Sequence, residues 1–193
     1  MARPARSRRP GALLLAPGAG ADRDHRTLVA VAAAVAPLPT ARMDFPARKA
    51  GRKGVDRPPV AIAAVREEAE ALVASAGVDP RQLVLGGRSF GGRMCSMAVA
   101  EGLPAAGLVL LSYPLHPPGR PDRLRVEHLG QLDVPCLFVS GERDPFGSPE
   151  ELSAAVKAIP GPVTMVFVPG AHDPKGQDDA VAGAVADWLR TLR

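Results

Sequence analysis

Two kinds of apolar pattern alternate along the chain. "ALLLA" (12–16), "LVL" (83–85), "GLVLLS" (107–112), "PCLFVS" (135–140) and "VTMVFV" (163–168) are short, continuous apolar runs. They lack the in-out alternation of a strand wet on one side, so they read as strands covered on both faces. "TARMDF" (40–45) reads as a further strand. Between them, apolar residues recur every three or four positions in 24–36, 61–76, 90–102 and 177–192, which predicts helices. In 61–76, Ile62, Val65, Ala69, Leu72 and Val73 share one side, and Arg66, Glu67, Glu68 and Glu70 hold the other, with Gly77 as the stop. In 177–192 the apolar side includes Val181, Val185, Trp188 and Leu189. Ser148, Pro149 and Glu151 supply the cap, first-turn proline and capping box of one more helix. Residues 46–59 and the Pro-rich stretch from Tyr113 to Asp133 read as surface loops. Helical crossovers require parallel neighbours, so the prediction is a three-layer α/β fold around a mostly parallel sheet of about six strands.

In such a sheet, ligand chemistry gathers beyond the carboxyl ends of the strands. "QLVLGGRSFGGRM" (82–94) places Ser89 there, in the G-x-S-x-G pattern Gly87–Gly91. The spacing suits a strand that turns at once into a helix, because side chains at the two glycine positions would collide with the turn. The helix N-terminus then offers free N–H groups near the hydroxyl. The pentapeptide alone is a weak signal; its position at a strand-to-helix junction strengthens it. A serine needs a base, and the base needs an orienting carboxylate. His172 follows the strand 163–168 in "PGAHDP", and Asp144 follows the strand 135–140 in "GERDPFG". Asp122, in the loop after 107–112, competes for the carboxylate role, with Glu142 and Asp133 behind it. Asp173 adjoins His172 and is badly placed to turn onto its ring.

A second oxyanion donor besides the Phe90 N–H is expected from "APGAGAD", at Ala19 with Gly20 next. The same stretch also reads as a dinucleotide fingerprint, with Gly18, Gly20 and a downstream Asp44. Arg23 stands where the third glycine belongs and would obstruct helix–strand packing. Arg93 lies one helical turn beyond Ser89 and faces either solvent or an acidic substrate group.

Composition narrows the remaining classes. The 193 residues suit one domain with a real core, built from Val, Leu and Ala because aromatics make up only 4%. The net charge of +4 comes from 24 basic and 20 acidic residues; without Arg3, Arg6, Arg8 and Arg9 the two are equal. Residues 1–10 are therefore expected to form a basic, disordered arm ahead of a domain over 11–193. No nucleic-acid partner is expected, because no aromatics interleave the basic residues. "ALLLA" is shorter than the roughly 7–15 residues of a signal-peptide core, and no run approaches the ~20 of a membrane span. Cys95 and Cys136 match no metal or redox spacing and read as reduced core residues. A cytoplasmic location is expected, with no metal and no cofactor.

"LLLAPGAGAD", "GGRSFGGRM", "LSYPLHPPG", "VSGERDPFG" and "PGAHDP" together resemble the α/β-hydrolase superfamily, within it the dienelactone-hydrolase-like group and its KANL/Tex-type branch. The similarity spans about residues 11 to 192. It implies a minimal α/β-hydrolase fold without a lid domain, with Ser89 as nucleophile, Asp144 as acid and His172 as base. Pro17 departs from the pattern, standing where many relatives carry histidine before the oxyanion-loop glycine. The function implied is a serine hydrolase cleaving a small ester or related acyl compound, with Tyr113 and His116 expected to line its pocket. The alternative is a noncatalytic interaction protein on the same fold. Oligomeric state and substrate identity are not read from the residues.

Overall fold

A computed structural model describes residues 9–192 of the chain. The first eight residues of the expected basic arm lie outside the described residues. The elements run β1 (Ala12–Ala16), α1 (Arg26–Ala34), β2 (Thr40–Arg42), α2 (Pro46–Lys49), α3 (Pro58–Ala76), β3 (Leu83–Arg88), α4 (Phe90–Ala100), β4 (Gly107–Leu111), β5 (Cys136–Gly141), α5 (Pro149–Ala155), β6 (Val163–Val168) and α6 (Asp178–Thr191), with three short 3-10 turns between them. Six strands form one sheet in the order β2-β1-β3-β4-β5-β6, and every pairing is parallel.

The continuous apolar runs behave as expected. Leu13 and Leu15 point into a cluster with Leu28 and Val31 of α1 and Val181, Val185 and Trp188 of α6. Ala12, Leu14 and Ala16 point the other way, against Ile62 and Val65 of α3 and Met94 and Ala98 of α4. One strand thus feeds two cores, because successive side chains alternate across the sheet. Strands β1 and β4 are buried at every position, whereas the edge strands β2 and β6 are partly exposed.

Three boundaries differ from the sequence expectation. β2 stops at Arg42: the Met43 N–H still donates to the Leu15 carbonyl at 3.0 Å, but the chain then turns away as Met43 and Phe45 enter the α3/α4 core. Residues 46–59 are not all loop: Pro46 opens the single turn of α2, and α3 begins at Pro58. Proline is tolerated there because first-turn N–H groups have no helical partner. β3 runs on through Gly86 and Gly87, which pair in register with Leu15 and Ala16 of β1. The strand read as "LVL" thus continues over two glycines packed where no side chain fits.

Strand order positions the site. From β1 the chain moves to β2 on one side, then returns to place β3 on the other. The loops after β1 and β3 therefore leave the sheet in opposite directions and open a crevice between them.

Candidate active site

Only Ser89 separates the end of β3 from the start of α4, so the whole reversal falls on one residue. Its φ of 50° and ψ of −116° lie where non-glycine residues rarely go. Such backbone costs about 1–3 kcal/mol and persists only if its surroundings enforce it. The Ser89 N–H donates to the Leu111 carbonyl at 2.8 Å, and the Ser89 carbonyl accepts from Arg93 N–H at 3.0 Å. The flanking glycines let this turn sit directly on β1. A methyl group on Gly91 would lie 2.4 Å from the carbonyl oxygens of Ala16 and Pro17, and one on Gly87 would lie 2.1 Å from Ala16 oxygen. Ser112, at the end of the adjacent β4, is the other non-glycine residue with positive φ among those described.

The loops after β5 and β6 reach this turn. His172 Nε2 is 2.8 Å from Ser89 Oγ, and His172 Nδ1 is 2.9 Å from each carboxylate oxygen of Asp144. Asp144 is buried, 4% exposed, and its Oδ1 also accepts the Phe146 N–H at 2.9 Å. That bond makes the "RDPFG" turn self-holding. The Phe146 ring stacks on the imidazole at a centroid separation of 4.0 Å, which holds the plane of the ring from one side. The other proposed carboxylates lie elsewhere. Asp122 is exposed and pairs with Arg120, while Asp173 pairs with Arg26 and Arg88.

Arg88 is the residue between Gly87 and Ser89. Its Nη2 donates to the His172 carbonyl at 2.9 Å and lies 3.3 Å from Asp173 Oδ1. Asp173 accepts in turn from Arg26 at 2.6 Å, and Arg26 Nε donates to Asp178 at 3.0 Å. The chain of charges ties the His172 loop to the elbow, to α1 and to the start of α6. Burial lowers the Arg88 pKa from its usual value, with Asp173 opposing the shift. For Asp173, burial acts upward, but the bond from Arg26 and the charge of Arg88 outweigh it and hold the carboxyl below its usual range.

Ser89, Phe90, Ala19 and His172 line one cavity of about 570 Å³, which also carries Arg57, Arg88, Arg93 and Arg125. Gly20 lines a neighbouring cavity of about 490 Å³, on the far side of Phe90. Tyr113 and His116 line neither. Tyr113 is 2% exposed; its hydroxyl donates to the Arg125 carbonyl at 3.1 Å and its ring meets Phe138 edge-on. Burial pushes its pKa up to about 12. His116 is turned between the Pro117 carbonyl at 2.8 Å and Glu151 at 3.4 Å. The expected pocket role is corrected by packing: the segment after β4 folds inward onto the core, leaving Pro114 as its part of the cavity wall. Phe146 and Arg125 line the cavity without having been singled out in sequence, and no periodicity in their loops marks them.

The dinucleotide reading loses its acidic residue as well as its third glycine. Asp44 accepts from both the backbone N–H and Nε of Arg23, at 2.8 and 2.7 Å. Among the described residues, no helix is long and apolar enough to cross a membrane.

Solved structures share this architecture. A protein of the alpha/beta hydrolase superfamily from Xanthomonas campestris is 23% identical, with a TM-score of 0.71 over 94% of this chain and 99% of that one. An alpha-beta serine hydrolase homologue from Coxiella burnetii is 19% identical, with a TM-score of 0.76 over 94% and 88% of the two chains. A dienelactone hydrolase from Anabaena variabilis is 19% identical, with a TM-score of 0.74 over 97% and 89%. At these identities the likeness speaks for the fold. The sequence itself carries the assignment: the family described as "Alpha/beta hydrolase domain" matches residues 9–183, so the chain belongs to that family and is an α/β hydrolase.

Proposed function

We propose that the protein is a serine-dependent hydrolase of small carboxylic esters or related acyl compounds. The observation that carries the reading is the continuous hydrogen-bonded line Ser89 Oγ, His172 Nε2, His172 Nδ1, Asp144, with Ser89 on the strained turn. His172 takes the hydroxyl proton as Ser89 Oγ attacks the carbonyl carbon. Asp144 holds the Nδ1–H tautomer and stabilises the imidazolium that forms. The N–H groups of Phe90, which opens α4, and Ala19, on the loop after β1, stabilise the oxyanion, and Gly20, which lines the neighbouring cavity, is left out of the hole. The imidazolium returns its proton to the departing alcohol, leaving an acyl-serine. Water, deprotonated by His172, then attacks the acyl carbon, releases the acid and restores the serine.

A fluorophosphonate probe tests the nucleophile directly. Wild type labels covalently; Ser89→Ala does not. Hydrolysis of p-nitrophenyl esters of graded chain length falls with it by about 10³-fold or more. Equal labelling of the two proteins removes Ser89 from the mechanism and favours an interaction protein on the same fold.

A further inference from the structure

The cavity that contains Ser89 is charged well beyond what a neutral ester needs. Arg57, Arg88, Arg93 and Arg125 line it, against a single lining carboxylate, Asp56. Asp56 is already committed: its Oδ2 accepts the Ala47 N–H at 2.8 Å, and its Oδ1 lies 3.7 Å from Arg52. Arg88 Nη2 is committed too, to the His172 carbonyl and Asp173, although its Nε is buried without a partner. Among the described residues, Arg57, Arg93 and Arg125 have no acidic partner.

Arg93 and Arg125 are the pair of interest, because both are half-buried whereas Arg57 is exposed. Arg93 Nε is fully buried and has no hydrogen-bond partner. Burial and the neighbouring charge of Arg93 both lower the Arg125 pKa. Two like charges thus line one cleft with no acidic side-chain partner among the described residues, an arrangement that costs stability unless an anion joins it. The nearby imidazole of His128 adds no relief. Its pKa is pushed down to about 4, chiefly by burial, so it is neutral near pH 7. Glu127 is exposed and lines neither the cavity nor its neighbour.

The placement relative to Ser89 follows from the shared cavity wall. Ser89 caps α4, and Arg93 sits four residues on, its N–H bonded to the Ser89 carbonyl. Side chains on a helix lean toward its N-terminus, and Ser89 and Arg93 line the same cavity. The Arg93 side chain therefore serves the same mouth as Ser89, one turn further along. Arg125 enters from the loop after β4, whose backbone is pinned by Arg125 N–H to the Leu115 carbonyl at 2.8 Å and by the Tyr113 hydroxyl. Guanidinium groups pair with flat or tetrahedral oxyanions through paired N–H bonds, which favours carboxylate or phosphate over any neutral group.

We infer that Arg93 and Arg125 form an anion subsite beside Ser89, selecting acyl substrates that carry a carboxylate or phosphate a short chain away from the scissile carbonyl. The inference rests on the hydrolase reading for its substrate and on the arginines alone for its anion.

The test separates these two layers. Wild-type protein is titrated calorimetrically with glutarate and with inorganic phosphate, neither of which requires catalysis. Saturable, salt-sensitive binding is expected, weakened about tenfold or more in Arg93→Gln and in Arg125→Gln, and unchanged in the distant surface variant Arg190→Gln. Tighter glutarate binding assigns the subsite to a carboxylate, and tighter phosphate binding to a phosphate. Arg93→Lys, which keeps charge but loses the planar fork, falls between wild type and Arg93→Gln. In parallel, turnover of monoethyl glutarate is compared with that of its carboxamide analogue, ethyl glutaramate, by pH-stat. The charged ester is preferred by about tenfold, and the preference collapses in both glutamine variants. Circular dichroism checks folding, and each arginine variant serves as the other's second case. Absence of saturable binding of either anion, or equal binding by wild type and both glutamine variants, overturns the subsite even if neutral esters are hydrolysed. Anion binding without turnover of either ester overturns the hydrolase reading and leaves the subsite in place.

Discussion

At Arg88, one guanidinium spans two parts of the site. The residue is fixed by its neighbour Ser89 at the elbow, and its Nη2 reaches the backbone carbonyl of His172. Arg88→Met keeps an unbranched apolar stem and removes the bond. The His172 loop then loses its link to the elbow. Ester turnover is expected to fall about tenfold in kcat with KM nearly constant, and fluorophosphonate labelling to slow in step; a KM change alone would indicate a substrate contact instead. Asp144 acts at closer range. Asp144→Asn preserves the shape but favours the wrong imidazole tautomer, so kcat/KM drops by about 10³–10⁴-fold while Asp122→Asn leaves it unchanged. Full activity in Asp144→Asn, with loss in Asp122→Asn, would reassign the carboxylate.

Helix α4 shows why local pattern is readable in some places and not in others. Helix α4 begins where its glycines permit, and Gly91 is in contact with the end of β1. Gly91→Ala forces apart the elbow and the loop after β1. Both melting temperature and fluorophosphonate labelling are expected to fall, the latter to near the Ser89→Ala level. Further along α4, Ser96 Oγ lies 2.8 Å from His128 Nε2 and donates to the Arg93 carbonyl, fastening the loop after β4 onto the helix. The folded protein holds His128 neutral, with its pKa pushed down to about 4 by burial. The unfolded chain binds its proton near pH 6.5, so the unfolded state gains protons first as pH falls. The stabilisation is complete above about pH 6.5 and is lost progressively toward pH 4, on the order of 1–3 kcal/mol in all. Urea midpoints measured between pH 7.5 and 4.5 should fall more steeply in wild type than in His128→Gln. Parallel curves would rule this out.

Across the whole molecule, the strand order turns separate loops into one site. β1 lies between β2 and β3, so the loop after β1 and the elbow diverge at one crevice, and the loops after β5 and β6 bring Asp144 and His172 across the sheet to it. Two cores, one on each face, hold the sheet in that shape. Phe138, at the centre of β5, is fully buried in the α3/α4 core. Phe138→Ala is expected to cost about 3–5 kcal/mol by chemical denaturation, and because β5 leads directly to Asp144, catalysis should become more heat-sensitive than in wild type.

The parallel α/β fold was legible in the residues because its signals are local and repeat. Continuous apolar runs mark strands covered on both sides, and a 3.6-residue period marks the helices that cover them. Ser89, Asp144 and His172 could be nominated for the same reason, since each follows a strand and strand ends share one edge of a parallel sheet. What lay beyond reach was the direction of side chains in segments with no period. Tyr113 and His116 stood out chemically, yet the packing of Tyr113 against Phe138 turns that segment inward. Arg125, unremarkable in sequence, is left facing the cavity. The apolar pattern likewise ends the strand at Leu85, and only the approach of β1 and β4 carries it on through Gly86 and Gly87. Inside and outside, in such stretches, follow from contacts between residues far apart in the chain, and no neighbouring residue records them.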